Sequence, residues 1–148
     1  MTAACCIGRA VLQVVAVNES IVISSLSWLI CRAKLTFNCN SSCITDAHID
    51  SIKFSGDMIA VLSLASPRIM RLKLDPEFFH LYSLDDSTVP RTIEAVAAPR
   101  SLYILSGPMR YHYTHEVLGD SKSDLLPDAS IDVARRLSII LRDEKVIS

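Results

Sequence analysis

The chain has 148 residues, a formal net charge of -1 and a sequence pI near 6.4. This length fits one ordinary domain with a hydrophobic core. The nearly balanced charge excludes the broad basic field with which proteins bind nucleic acid backbones nonspecifically, and no local patch for DNA is evident.

The first third of the chain is apolar and shows no clear strand rhythm. Two apolar runs, residues 10–17 and 21–31, are each shorter than the roughly 18 to 20 residues that a membrane-spanning helix requires. Asn18 and Glu19 separate the two runs. The sequence therefore gives no confident prediction of a membrane span.

The cysteines lie in the same third. All five occur at or before Cys43, and an odd number without later partners predicts reduced thiols rather than a disulfide framework. Cys39, Cys43 and His48 leave a zinc site open as a weaker alternative, because a CxxxC pair without a second pair is a weak signal. Arg9 in a segment without acids before Glu19 is compatible with an organelle-targeting sequence.

The chain changes character near residue 45. We therefore predict an N-terminal segment of uncertain structure, residues 1–45, and a second unit, residues 46–148. In the second unit, short apolar runs alternate with turn signals such as Ser66-Pro67 and Gly107-Pro108, which predicts a mainly β fold, an antiparallel sandwich or barrel. The predicted strands are 58–64, 69–74, 78–84, 101–106, 109–114 and 137–142.

A candidate metal site begins at the tripeptide His48-Ile49-Asp50. On a strand, residues two apart project from the same face, so the imidazole and the carboxylate can point at one position. The histidine that would complete a facial triad for Fe(II) follows some sixty to seventy residues later. In MRYHYTHEV the alternation places His112 and His115 on opposite faces, and the pattern does not say which of them points inward.

Two arginines share one face of the last predicted strand. Arg136 and Arg142 alternate with apolar residues in RRLSIILRDE, and a buried guanidinium without a partner is costly. A bound dicarboxylate would remove that cost, because a guanidinium holds a carboxylate through two parallel hydrogen bonds. The alternative is that both arginines lie at the ends of an exposed strand and contact water.

Three blocks of the sequence, taken in order, resemble the AlkB-like Fe(II)- and 2-oxoglutarate-dependent dioxygenases, in particular a mitochondrial branch of that family. The resemblance covers roughly residues 47–145 and implies a double-stranded β-helix, a cupin-like jelly-roll barrel. It leaves open whether the barrel is complete at its N-terminal side. The blocks are HIDSIKFSGDMIAVLSLASPRIMRL, PRSLYILSGPMRYHYTHEVL and ARRLSIILR.

The resemblance also implies roles for single residues. The iron ligands would be His48, Asp50 and His115. The hydroxyl of Tyr103 would donate a hydrogen bond to 2-oxoglutarate. The terminal arginine pair would complete the cofactor site, with Arg142 on the far carboxylate of 2-oxoglutarate and Arg136 nearer the metal or a ligand carboxylate.

The activity implied is oxidative hydroxylation or demethylation, coupled to decarboxylation of 2-oxoglutarate to succinate. By resemblance, the location would be the mitochondrial matrix, and the branch is associated with fatty-acid metabolism and alkylation-induced necrosis. Relatives in the family act on alkylated nucleic acid bases, but the absence of a basic or aromatic stripe favours a protein substrate over RNA. The alternative is a catalytically inactive jelly-roll remnant that acts as an interaction protein.

Overall fold

The computed structural model describes residues 2–7, 10–16, 36–38, 45–53, 55–82, 89–118, 123 and 136–142. Within these ranges the chain forms ten strands and two short helical turns. The strands are β1 (Thr2–Ile7), β2 (Ala10–Ala16), β3 (Thr36–Asn38), β4 (Thr45–His48), β5 (Met58–Ala65), β6 (Arg68–Leu74), β7 (Thr92–Ala97), β8 (Ser101–Ser106), β9 (Tyr113–Val117) and β10 (Arg136–Arg142). The helical turns are a 3-10 helix, Pro76–Leu81, and a one-turn α-helix, α1, Pro108–Tyr111.

The strands form two antiparallel sheets. The larger has the order β1-β2-β8-β5-β10-β3, and the smaller has the order β4-β9-β6-β7. From β3 onward, four strands lie in each sheet, and most connections carry the chain from one sheet to the other. This winding is that of a jelly roll, so the predicted mainly β, double-stranded β-helix class is confirmed. β3 pairs with β10, which places a strand at the N-terminal side that the sequence had left open.

The N-terminal segment also adds strands to the larger sheet. β2 pairs with β8 over six residues, and β1 pairs with β2. In the part of the chain that the structure describes, no helix has the length and apolar character needed to cross a membrane. The apolar run 21–31 and the cysteines Cys39 and Cys43 of the zinc alternative lie outside the described residues, and the division near residue 45 stays a prediction.

The core lies between the two sheets. Because side chains alternate along a strand, every second residue of strands such as β5, β6 and β8 faces the opposite sheet. A second, smaller apolar cluster includes Ala60, Leu102 and Leu141, which alternate with core residues of the larger sheet. The main core comprises Ile59, Val61, Met70, Leu72, Leu74, Ala97, Tyr103, Leu105, Met109 and Tyr113.

Two predicted strands are wrong because local turn chemistry overrides the apolar pattern. Residues 78–84 were expected to be extended, but the chain forms the 3-10 helix, which begins where the Asp75 carboxylate accepts a hydrogen bond of 2.9 Å from the amide of Glu77. Residues 109–114 instead begin with α1, since Pro108 occupies its first turn and β9 starts only at Tyr113.

We expect Leu72→Ala to lower the free energy of unfolding by about 2 to 5 kcal/mol, because Leu72 is 0% exposed and truncation leaves a cavity between the sheets. Urea unfolding measures the difference. Leu81→Ala is the matched control, since Leu81 is 54% exposed and its truncation should change stability by no more than about 0.5 kcal/mol. Equal losses in the two variants would contradict the described core.

Candidate metal centre

Neighbouring strands bring two of the predicted iron ligands together. His48 at the end of β4 lies directly opposite His115 in β9. Directly opposite residues of an antiparallel pair project from the same face with their Cβ atoms about 5 Å apart. The two imidazole rings accordingly lie with centroids 4.4 Å apart and planes tilted by 53°. The choice between His112 and His115 that the pattern left open is thus resolved geometrically, with His115 facing His48.

Asp50 completes the group. One carboxylate oxygen lies 3.8 Å from Nε2 of His48, and the other lies 3.8 Å from Nε2 of His115. One ligand atom from each residue fits within 4.8 Å of the other two, and in the described ranges this is the only set of three metal-ligating side chains so arranged. The structure therefore brings together the three residues predicted as ligands.

The protonation of the two histidines suits a metal. The Nδ1–H of His48 donates to the carbonyl oxygen of Asp46 at 2.7 Å, which leaves the lone pair on Nε2, the atom that faces Asp50. Burial, and then the neighbouring His48, lower the pKa of His115 from 6.5 to about 4, so this imidazole is neutral at pH 7. Two imidazoles and one carboxylate are the donor set of a facial triad, which fits Fe(II).

The lowered pKa predicts how the metal-free protein responds to acid. The unfolded chain takes up a proton on His115 near pH 6.5, whereas the folded chain does so only near pH 4. Stability is therefore fully present above pH 6.5 and decreases by up to about 1.4 kcal/mol per pH unit as the pH falls towards 4. Urea unfolding of the metal-free protein near neutral pH and near pH 5 measures this loss, and His115→Gln should reduce it. The same dependence in both proteins would assign it to other groups.

A cavity of about 240 Å³ opens beside the three predicted ligands. Its volume lies below the roughly 300 to 1,000 Å³ of sites for drug-sized molecules, so it suits a small ligand. Six of the thirteen lining side chains are aliphatic or aromatic, and the other seven are polar or charged groups that can fix the orientation of a ligand. The lining residues are Thr45, His48, Asp50, Ile59, Val61, Tyr103, Leu105, His115, Val117, Arg136, Ser138, Ile140 and Arg142.

Both arginines of β10 point into this cavity, so the alternative of an exposed strand in contact with water is wrong. Arg136 is only 3% exposed, and its Nη2 donates to the hydroxyl oxygen of Tyr103 at 3.4 Å. Burial raises the pKa of Tyr103, although Arg136 opposes this shift, and the phenol is therefore neutral at pH 7. Because its oxygen accepts from Arg136, the hydroxyl hydrogen of Tyr103 is available to another acceptor, such as a carboxylate.

The contact with a carboxylate of the metal site that was expected of Arg136 is made by Arg142. Nη2 of Arg142, not a nitrogen of Arg136, lies against a ligand carboxylate, 3.2 Å from Oδ1 of Asp50. Six residues of extended strand separate the two Cα atoms by roughly 20 Å. Arg142 is therefore at the metal end of the cavity, and Arg136 lies with Tyr103 away from it. Spacing alone cannot give this order, because it does not fix which end of β10 approaches β4.

Two other side chains of the motif MRYHYTHEV lie outside the cluster of His48, Asp50 and His115. His112 is outside the metal centre, where its Nδ1 is 2.6 Å from the hydroxyl of Tyr82 and its ring stacks on Phe78. Arg110 is almost fully buried and donates from Nη1 to the carbonyl oxygen of Asp50 at 2.8 Å. Sequence reasoning missed Arg110 because the segment was taken as a strand, although an arginine following Gly107-Pro108 in an apolar context was a signal.

Comparison with known proteins gives two related results. No family model matches the chain. It is 41% identical over 95 residues to the alpha-ketoglutarate-dependent dioxygenase alkB homolog 7, mitochondrial, of Bos taurus, and 38% identical over 97 residues to the protein of the same name from Mus musculus. The resemblance to the AlkB-like dioxygenases is thereby confirmed, and within that class the similarity is to the mitochondrial alkB homolog 7.

The extent of these matches is partial. Each covers 64% of this chain, and the chain spans 38% of the length of the curated relatives. Among solved structures, that of OsALKBH1 is similar over 74% of this chain and 47% of its own, with a TM-score of 0.49 and 15% sequence identity.

Proposed function

We propose that the protein is an Fe(II)- and 2-oxoglutarate-dependent dioxygenase. The observation that carries the proposal is the meeting of His48, Asp50 and His115 at the side of a cavity that is also lined by the buried Arg136. A metal site with open positions beside a deep guanidinium is suited to a small dicarboxylate that reaches the metal with one end and the arginine with the other. The names of the similar curated proteins support the same activity.

In this proposal iron and 2-oxoglutarate supply the oxidation of a C–H bond, with release of succinate and carbon dioxide. His48, Asp50 and His115 would hold the metal. The task of Arg142 is to orient the Asp50 carboxylate and balance its charge, since their side chains are 3.2 Å apart. Arg136 and Tyr103 bind the far carboxylate, and the apolar lining, including Ile59 and Leu105, excludes water.

A second observation supports the assignment of Arg136 as the arginine that binds the far carboxylate of 2-oxoglutarate. Ser138 lies on the same face of β10, lines the cavity and is 1% exposed, so its hydroxyl can add a hydrogen bond to the same carboxylate. The guanidinium of Arg136 with the hydroxyl donors of Tyr103 and Ser138 would form a strong carboxylate site when water is excluded. Arg142 already has a carboxylate partner in Asp50 and is more exposed.

We further propose a protein substrate and a location in the mitochondrial matrix. A nucleobase is usually bound by stacking on an aromatic side chain. In the described lining of the cavity the only aromatic ring besides the histidines is that of Tyr103, which is buried and bonded to Arg136. The word mitochondrial in the names of the similar proteins supports the location.

The alternative of an inactive jelly-roll remnant requires site residues without a scaffold to hold them. The pairing of β3 with β10 and of β2 with β8 argues against it, because these N-terminal strands are part of the larger sheet. These strand pairings therefore favour the dioxygenase over the inactive remnant.

Succinate formation tests the activity directly. Purified protein supplied with Fe(II), ascorbate, oxygen and 2-oxoglutarate should form succinate, slowly without a primary substrate and faster with one. Omission of iron should abolish the product, and so should Asp50→Ala. Absence of succinate together with absence of iron-dependent binding of 2-oxoglutarate would favour the remnant.

A further inference from the structure

We propose that Arg110 is a positioning residue of the metal centre, which holds the main chain of Asp50 from outside the cavity. The inference rests on the proposed metal-dependent function and adds to it a residue that contacts neither the metal site's ligand atoms nor the cavity. Three observations carry it: the lack of strand pairing at Asp50, the contacts of Arg110, and its burial.

Asp50 is the one ligand that no β-ladder holds. His48 is paired with His115, and His115 is also paired with Leu72 of β6. β4 ends at His48, so Asp50 follows two residues beyond the last paired position, in irregular chain. Irregular chain opens at lower free-energy cost than a paired strand, so this ligand needs another constraint.

Two arginines supply that constraint, one through the side chain of Asp50 and the other through its main chain. Arg142 contacts the Asp50 side chain within the cavity. Arg110 contacts the main chain, with Nη1 donating to the carbonyl oxygen of Asp50 at 2.8 Å and Nη2 to that of Ser51 at 3.3 Å. Two carbonyls bound by the two ends of one planar guanidinium fix the direction of the chain as well as its position.

The burial of Arg110 indicates that this contact is not incidental. The residue is 2% exposed, and its Nε has no hydrogen-bond partner, so the guanidinium is desolvated at a cost. The ring of Tyr111 lies 5.2 Å from the guanidinium carbon, and the Tyr111 hydroxyl donates to Oδ1 of Asp57 at 2.6 Å. Through Tyr111, these contacts link the guanidinium to Asp57, which follows Asp50 in the chain.

The position of Arg110 in the chain couples the two ligand-bearing segments. It lies in α1, which begins after Gly107, whose φ of 56° and ψ of -142° form a conformation that only glycine adopts readily. α1 leads into β9, so Arg110 precedes His115 by five residues. A displacement of α1 therefore moves the Asp50 turn relative to the strand that carries His115.

Metal affinity tests the proposal without relying on turnover. We would titrate the full chain with Co(II) under anaerobic conditions and follow its visible absorption. Arg110→Met should weaken Co(II) binding by about 10- to 100-fold, the usual loss when a group that orients a ligand is removed. Arg110→Lys keeps the charge but cannot reach both carbonyls equally, so its affinity should lie between those of Arg110→Met and the original chain.

The matched control is Arg68→Met. Arg68 is equally buried at 2% exposure, and its Nη1 donates to the carbonyl oxygen of Pro67 and the hydroxyl of Ser66, at the start of β6 and outside the cavity lining. Its loss should lower stability in urea but leave Co(II) affinity nearly unchanged. If Arg110→Met does not fold, hydrogen exchange of the amides of residues 49–53 in Arg110→Lys provides the test. We expect these amides to exchange faster in Arg110→Lys than in the original chain.

The outcomes separate the inference from the proposed function. Unchanged Co(II) affinity in both Arg110 variants, or an equal loss in Arg68→Met, overturns the positioning role while leaving the dioxygenase intact. A chain that binds no Co(II), or binds it equally after His115→Ala, refutes the metal centre and with it the role of Arg110.

Discussion

Replacing His115 with alanine should remove detectable Fe(II) binding at the site. The remaining pair, His48 and Asp50, offers two ligand atoms, and the affinity should fall by at least about 100-fold, since even loss of a group that only orients a ligand costs about 10- to 100-fold. The measurement is an anaerobic titration with Fe(II) and 2-oxoglutarate, followed by the visible charge-transfer absorption of the complex.

The chain offers a close control for that experiment. His112 lies three residues away, but its ring stacks on Phe78 and its Nδ1 bonds the hydroxyl of Tyr82. His112→Ala should leave the absorption in place, although it removes these partly buried contacts and lowers stability. An unchanged signal in His115→Ala would transfer the ligand role to another group and remove the basis of the dioxygenase assignment.

Replacing Arg136 with lysine should weaken 2-oxoglutarate binding by about 1 to 3 kcal/mol, because an ammonium cannot form the two parallel hydrogen bonds of a guanidinium. Arg142→Lys should weaken 2-oxoglutarate binding by a smaller amount, since the Arg142 side chain already contacts Asp50. Anaerobic calorimetry with 2-oxoglutarate at saturating Mn(II) measures both affinities. A larger loss in Arg142→Lys would restore the order of the two arginines that the sequence had suggested.

The sequence predicted the cluster of His48, Asp50 and His115 better than its surroundings. His48 and Asp50 are two residues apart, and His115 lies in an alternating segment, so side-chain period and family resemblance together were enough to select them. The relation between Arg142 and Asp50 depends instead on sheet order, because β10 and the end of β4 belong to different sheets. No local pattern encodes that distance.

The missed elements have physical explanations of the same kind. β7 escaped prediction because its inward positions are filled partly by alanine, as at Ala95 and Ala97, which gives weak apolar alternation. The 3-10 helix and α1 were mistaken for strands because capping and proline act locally against an alternating apolar pattern. Arg110 was not noticed for that reason, since its contacts depend on the turn that α1 makes.

The strand β10 pairs with β5 and β3 over different lengths. β5 pairs with it along all seven residues, Arg136 to Arg142, whereas β3 pairs only with Ser138 to Ile140. Ser138 to Ile140 thus have paired neighbours on both sides, and opening the strand there requires breaking hydrogen bonds to both neighbours. We therefore expect the amides at the middle of β10 to exchange slowly with solvent, so that the cavity wall at Ser138 and Ile140 stays closed while other parts of the fold open.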